Sequence, residues 1–175
     1  MRSEPRIEEL FEAISNYFED IKTIVESNNS DNKISNFILI LRESKNISEL
    51  SLKEIIVYID EKIIPILNGY QRFYAFVAKN SLKIASRQIH LIDNYDELEK
   101  IRLKKILNID GDLEFLNKEL CKRIKNKEIE RNDPKLKDHL IRSTMAKLSV
   151  DQPNYSGYLK ALEDQYPSDW VIKTQ

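Results

Sequence analysis

A chain of 175 residues with 28 Lys and Arg against 29 Asp and Glu carries a formal net charge of −1, which removes the global attraction that nucleic-acid binding draws on. Three glycines and five prolines, beside 33% charged and 41% hydrophobic residues, favour long helices over many short strands, in a length that suits one domain with a real core. The single cysteine, Cys121, excludes an internal disulfide, the opening residues lack the apolar core of a signal peptide, and no run approaches the roughly 20 apolar residues of a membrane span, so a cytoplasmic protein without a membrane segment is expected.

Residues 5–25 predict an amphipathic helix. Ile7, Leu10, Phe11, Ile14, Phe18, Ile21 and Val25 recur at helical spacing. Ser3 is placed to cap it, with Glu8 and Glu9 favourable to the helix dipole. Residues 27–32 (SNNSDN) read as a loop, and Ile34, Phe37, Ile38 and Leu41 as a short second helix before a polar connector at 43–49. Residues 1–48 are therefore expected to form an N-terminal helical hairpin added to the core. Residues 49–165 are expected to form a helical bundle, and 166–175, which contain Trp170, a tail.

From residue 50 the pattern restarts with Leu52, Ile55, Ile56, Ile59, Ile63 and Ile66. Pro65 removes a backbone donor, so the last turn should be irregular, and Asn68-Gly69 supplies a left-handed residue to end that helix. Residues 69–92 then form the expected centre of the bundle, with two apolar stripes. Phe73, Phe76, Val77, Ile84 and Leu91 make one; Tyr74, Ala78, Leu82, Ala85, Ile89 and Ile92 make the other. Arg72, Lys79, Lys83, Ser86 and His90 make a polar strip between them. Such a helix is apolar around most of its circumference and belongs in a core. Asn80 falls inside the first stripe, two turns before Arg87. An unmet buried amide costs about 1–3 kcal/mol, so Asn80 either ties this helix to a neighbour or, with Arg87, marks a site.

Asp93 or Asn94 is expected to cap a separate helix over 95–107, with a weaker stripe of Leu98, Ile101 and Ile106. A turn at 108–112 leads to a helix carrying Leu113, Leu116, Leu120 and Ile124, with Cys121 near its apolar face. Asp133-Pro134 starts the next helix, whose stripe is Leu136, Leu140, Ile141, Thr144, Met145 and Leu148. Residues 151–157 (DQPNYSG) read as a loop and 158–165 as a last short helix. Short connections imply antiparallel neighbours. The expected fold is all-α, an antiparallel helical bundle of about six to eight helices.

The residues reveal no reaction. Isolated glycines rule out a GxGxxG or Walker-type loop. His90 and Asp93 have the wrong spacing for a kinase catalytic loop. Asp110, Asp112 and Glu114 alternate like the start of a calcium loop but lack the remaining ligands, and helix capping explains them more simply. His90 and His139 have no neighbouring ligand partners, so neither metal nor cofactor is expected. Cys121 reads as an inert small hydrophobe rather than a nucleophile. Basic residues gather at Lys118, Lys122, Arg123, Lys125 and Lys127, and again at Lys135, Lys137, Arg142 and Lys147. They form either a solvated helix face or a surface for an anionic ligand or acidic partner; without interleaved aromatics, nucleic acid is not expected.

Five segments, in this order and spacing, resemble a bacterial family of small helical proteins classed as a domain of unknown function. They are Ile64-Pro65-Ile66-Leu67 followed by Gly69, RFYAFVAKNSLKIASRQ (72–88), DGDLEFLNKELCKRI (110–124), DPKLKDHL (133–140) and KLSVDQPNYSGY (147–158). The resemblance covers about residues 50–159 and leaves the N-terminal hairpin outside. Gln88 and Lys79 depart from it, standing where an acidic and a small residue are expected.

Members are typically encoded beside a kinase of the aminoglycoside-phosphotransferase type and an acyl-CoA dehydrogenase, as in the breakdown of levulinate and other 4-hydroxy acids. The resemblance implies a non-catalytic accessory subunit that binds such a kinase and supports phosphorylation of a hydroxyacyl-CoA, with acyl-CoA met through the complex. The residues assigned to that role are Arg72, Asn80 and Arg87, and Asp151, Gln152, Pro153, Tyr155 and Tyr158 of the last loop. The alternative is an independent bundle that grips an acyl-CoA or another anionic small molecule with Lys122, Arg123 and Lys147. A stand-alone enzyme ranks last.

Overall fold

The computed structural model describes residues 6–43 and 47–164. Among these, the chain is all-α, a helical bundle with seven α-helices and no strand. They are α1 (Ile7–Asn28), α2 (Lys33–Arg42), α3 (Glu49–Tyr58), α4 (Gly69–Leu107), α5 (Leu113–Lys125), α6 (Pro134–Asp151) and α7 (Ser156–Asp164). No described helix is long and apolar enough to cross a membrane. Ser3 and Trp170 lie outside the described residues. Two compact units, residues 1–89 and 90–175, divide within α4.

In the first unit the α1 stripe is buried as the periodicity predicts, through Phe11, Ile14, Phe18, Ile21 and Val25. The α2 residues Ile34, Phe37, Ile38 and Leu41 enter the same core as Leu52, Ile55, Ile59 and Ile63. The hairpin of α1 and α2 thus shares one core with α3 and the first half of α4. Tyr58 closes one edge: its ring meets Phe37 edge-on at 5.2 Å and its hydroxyl donates to Asp31 Oδ1 at 2.8 Å. Burial and that acceptor push the phenol well above its usual range.

After α3 the backbone widens into one π-helical turn, Ile59–Ile63, with the Ile64 N–H bonded to the Ile59 carbonyl at 2.9 Å. Pro65 follows without a donor, which explains the irregular end. Gly69 is left-handed, at φ +52°. It opens α4 rather than closing the preceding helix, a correction to the sequence reading.

Two further expectations for the central helix are overturned. First, α4 runs 39 residues without a break at Asp93-Asn94. No Gly or Pro occurs in residues 70–107. An Asp or Asn inside a helix costs up to about 0.7 kcal/mol, less than the several backbone hydrogen bonds of about 1 kcal/mol each that a break forfeits. Second, α4 buries neither stripe as a whole: Leu91 of the first is buried, while Tyr74 and Ile89 of the second are exposed. Ala75, Ala78, Leu82 and Ala85 are in the core, joined by Ser86, which was expected on the polar strip. Phe73, Phe76 and Val77 are exposed. Alanines let a helix approach its neighbours closely, and that proximity, not side-chain size, selects the buried face. Asn80 belongs to the first stripe and lies in solvent, so no buried amide needs a partner there.

In the second unit Leu103 and Leu107 of α4 pack with Leu116 and Leu120 of α5 and Leu136 of α6. Of the expected stripe, Leu98 and Ile101 are exposed while Ile106 is partly buried against the core; Leu91, Tyr95, Leu103 and Leu107 form the buried side. On α6, Leu140 is exposed and Thr144 faces solvent, while His139, Met145, Ala146, Ser149 and Val150 are buried. Asp133 caps α6 by accepting from the Lys135 and Leu136 N–H groups at 2.8 and 3.0 Å, with Pro134 in the first turn. Asp112 caps α5 through the Phe115 N–H at 2.7 Å.

Candidate functional site

The buried alanine face of α4 has a consequence for its opposite side. Tyr70, Phe73, Tyr74, Phe76 and Val77 occupy two turns of one helix, and all are exposed, Tyr70 at 74% and Phe73 at 60%. The rings order one another. Tyr70 and Tyr74 meet edge-on at 4.4 Å with their hydroxyls 2.6 Å apart, and Phe73 meets Tyr74 edge-on at 5.6 Å. Tyr17 of α1 joins at 6.3 Å from Tyr74 and donates to the Gln71 carbonyl at 2.8 Å. Burial raises the Tyr17 phenol to about 12, so it remains a neutral donor.

Beside these rings α1 and α4 leave an apolar groove of about 550 Å³, walled by Leu10, Ile14, Ile21, Tyr74 and Val77. Outside this groove, two cations of α4 lie over an aromatic face. The Arg72 guanidinium lies 6.0 Å from the Phe76 centroid and Lys79 Nζ 5.3 Å from the same ring. Lys79 also pairs with Asp60 at 2.7 Å, and that hydrogen bond holds the exposed Asp60 carboxyl below its usual range. These exposed aromatic side chains form a cluster on one side of α4.

The residues chosen from the sequence separate into different settings. Arg72 and Asn80 stand exposed on the aromatic side of α4, and Arg87 is half-buried two turns on. Asp151 is the last residue of α6, and Gln152 ends that helix with its N–H on the Leu148 carbonyl at 2.9 Å. Pro153 is half-buried and Tyr155 exposed. Tyr155 lies against Gly157, where an added Cβ would come within 2.7 Å of the ring. Tyr158, by contrast, is buried. Burial, with Tyr95 as neighbour, raises the Tyr158 phenol.

The candidate anion grip fares similarly. Lys122 and Arg123 both approach Glu119, at 3.6 and 3.0 Å, and Arg123 also donates to the Leu107 carbonyl at 2.9 Å. Lys147 is exposed. Cys121 is exposed, not part of the apolar face, because Leu116 and Leu120 take the buried side of α5. Asp110 pairs with Lys104 at 2.8 Å and Glu114 with Lys118 at 2.6 Å. Among the described residues no His, Cys, Asp and Glu gather where they could hold a metal ion.

Sequence reasoning missed a polar layer in the second unit. His139 is 3% exposed and its Nδ1 has no partner; Arg102 Nε is likewise buried and unpartnered. Burial lowers the His139 imidazole, and the nearby Arg102 adds to that while Glu99 and Asp138 oppose it. Tyr95 and Ser149 share a buried hydrogen bond at 2.8 Å, and Ser149 donates to the Ala146 carbonyl at 2.7 Å. Leu136 and His139 stand three apart on α6, but Leu140, four from Leu136, fits the same stripe equally well, so spacing alone did not single His139 out.

The chain matches no curated protein and no solved structure. A family model described as a domain of unknown function matches residues 65–155, just over half of the chain. That span takes in the exposed aromatic turns of α4, the whole of α5 and α6, and Tyr155. It also contains, wholly or in large part, each of the five segments on which the sequence resemblance rested. The chain belongs to this family, the domain of unknown function DUF6285.

Proposed function

We propose that this protein is a non-catalytic accessory subunit of an aminoglycoside-phosphotransferase-like kinase that phosphorylates a hydroxyacyl-CoA. Support comes from the family resemblance and from one physical observation. The first two turns of α4 present Tyr70, Phe73, Tyr74 and Phe76 to solvent, inside the family-matched span. Aromatic residues are the commonest energetic anchors of protein interfaces, and Arg72 beside Phe76 adds the other favoured residue type. The role assigned to Arg72 and Asn80 follows from their place on that side, and Arg87 extends it. Of the last loop, Tyr155 is retained as a contact and Tyr158 is reassigned to support it from the core.

The kinase would supply the phosphate cradle and catalytic groups. This chain would cover and order the kinase surface it docks on, and acyl-CoA would be met only in the complex. The test is reconstitution. A phosphotransferase-type kinase from the same genome is purified alone and with this chain, and hydroxyacyl-CoA phosphorylation is followed by phosphate transfer. Turnover that needs both proteins is expected. Full activity of the kinase alone, or turnover by this chain alone, contradicts the proposal.

A further inference from the structure

A cleft of about 650 Å³ opens in the second unit between the end of α4 and the start of α6. Arg102, Lys105 and Lys135 line it with Asn108 and Asp138. Its charge is not balanced. Asp138 is already engaged, with both carboxylate oxygens 2.9 Å from Arg142 Nε. Neither Lys105 nor Lys135 makes an ion pair among the described residues. Arg102 Nη2 donates to Ser143 Oγ at 3.3 Å, while the shielded Nε–H meets no acceptor among the described residues. A buried donor left unmet is costly and calls for an acceptor. The neighbouring cations are spoken for and lie outside the cleft: Lys104 holds Asp110, and Arg123 holds Glu119 and the Leu107 carbonyl.

The backbone shapes the same place. Asn108 ends α4 in the left-handed region, at φ 53°, with its N–H on the Lys104 carbonyl at 2.9 Å. Asp133 consumes the first N–H groups of α6, so recognition in the cleft falls to side chains. A planar guanidinium flanked by two ammonium groups suits a compact multiply charged oxyanion, because Arg offers a fork and Lys point charges. The volume falls in the range of small-molecule sites and leaves room for more than a bare ion.

From these observations we infer that the Arg102–Lys105–Lys135 cleft binds the phosphate groups of a small phosphorylated metabolite, a diphosphate in preference to a monophosphate. This site differs from the Lys122, Arg123 and Lys147 grip considered from the sequence, and it needs no kinase, so it stands or falls apart from the accessory-subunit reading. The test is an NMR titration of the full chain at fixed ionic strength, following the Arg102 Nε–H signal. Inorganic pyrophosphate should shift that signal saturably, and ADP should do so at the same site, whereas adenosine should leave it in place. K105A/K135A should weaken pyrophosphate binding by at least about tenfold, while K33A/K53A, which removes two exposed lysines of the first unit, should not change it. An R102K variant keeps the charge but removes the fork and should also weaken binding. No saturation by about 10 mM pyrophosphate, equal shifts with adenosine and ADP, or binding indifferent to K105A/K135A would overturn the inference.

Discussion

His139 shows how much a single residue can carry without leaving a mark in the sequence. It is 3% exposed, and burial holds its imidazole below the ordinary value of 6.5. The unfolded chain therefore takes up a proton at a higher pH than the folded one. Stability should rise with pH between the lowered folded value and 6.5, and it should be lost as the pH falls through that window. H139L removes the linkage. Thermal melts of the wild type should lose stability from pH 7 to pH 5 more steeply than melts of H139L, and parallel curves would show that His139 does not titrate in this range. Gly69 can be tested as directly. It sits at φ +52° with open space where a Cβ would go, so G69A should cost about 1–2 kcal/mol from backbone strain alone. Urea denaturation would read this, and an unchanged midpoint would contradict the left-handed assignment. Neither residue was legible from its spacing alone. His139 is followed by Leu140 and Ile141, which drew the apolar stripe past it, and Gly69 was placed in the correct turn but at the wrong end of it.

At the scale of elements, helices with one apolar stripe were legible almost residue by residue. The α1 periodicity names its own core, and Asp133-Pro134 names its own cap. Where a helix carries two stripes, periodicity cannot choose between them. On α4 the choice fell to Ala75, Ala78 and Ala85, whose value lies in close approach and not in hydrophobic area. The same blindness to packing placed a break at Asp93-Asn94, where the helix in fact continues. N94P separates the two descriptions. If Asp93 were an N-cap, Pro at position 94 would occupy a favoured first helical position. Inside a continuous α4 it removes a hydrogen bond and clashes with the preceding turn, costing about 3 kcal/mol or more. Chemical denaturation of N94P should show the larger loss, and near-wild-type stability would favour two helices.

For the whole molecule, the all-α class followed from composition, and the family from the joint order of five weak segments, because each level of the sequence agreed with the others. The candidate site was only half legible. Asn80, expected inside a buried stripe, is exposed, and Arg72, expected on the polar strip, is exposed on the same side of α4. The Phe73 and Phe76 rings, read as core, are the strongest interface candidates of the first unit. Because they bury little in the chain itself, F73E/F76E should fold with stability within about 1 kcal/mol of the wild type. Matching melting curves would confirm it, and a large loss would return these rings to the core.

The proposed function rests on that aromatic surface being a docking site, and the most direct measurement is the affinity of a phosphotransferase-type kinase from the same genome for the wild type and for F73E/F76E, by calorimetry on folded proteins. Two anchoring aromatics of about 2 kcal/mol each predict a loss of at least about a hundredfold, with phosphorylation of hydroxyacyl-CoA falling in step. Equal affinity for both proteins, or no binding by the wild type, would contradict it.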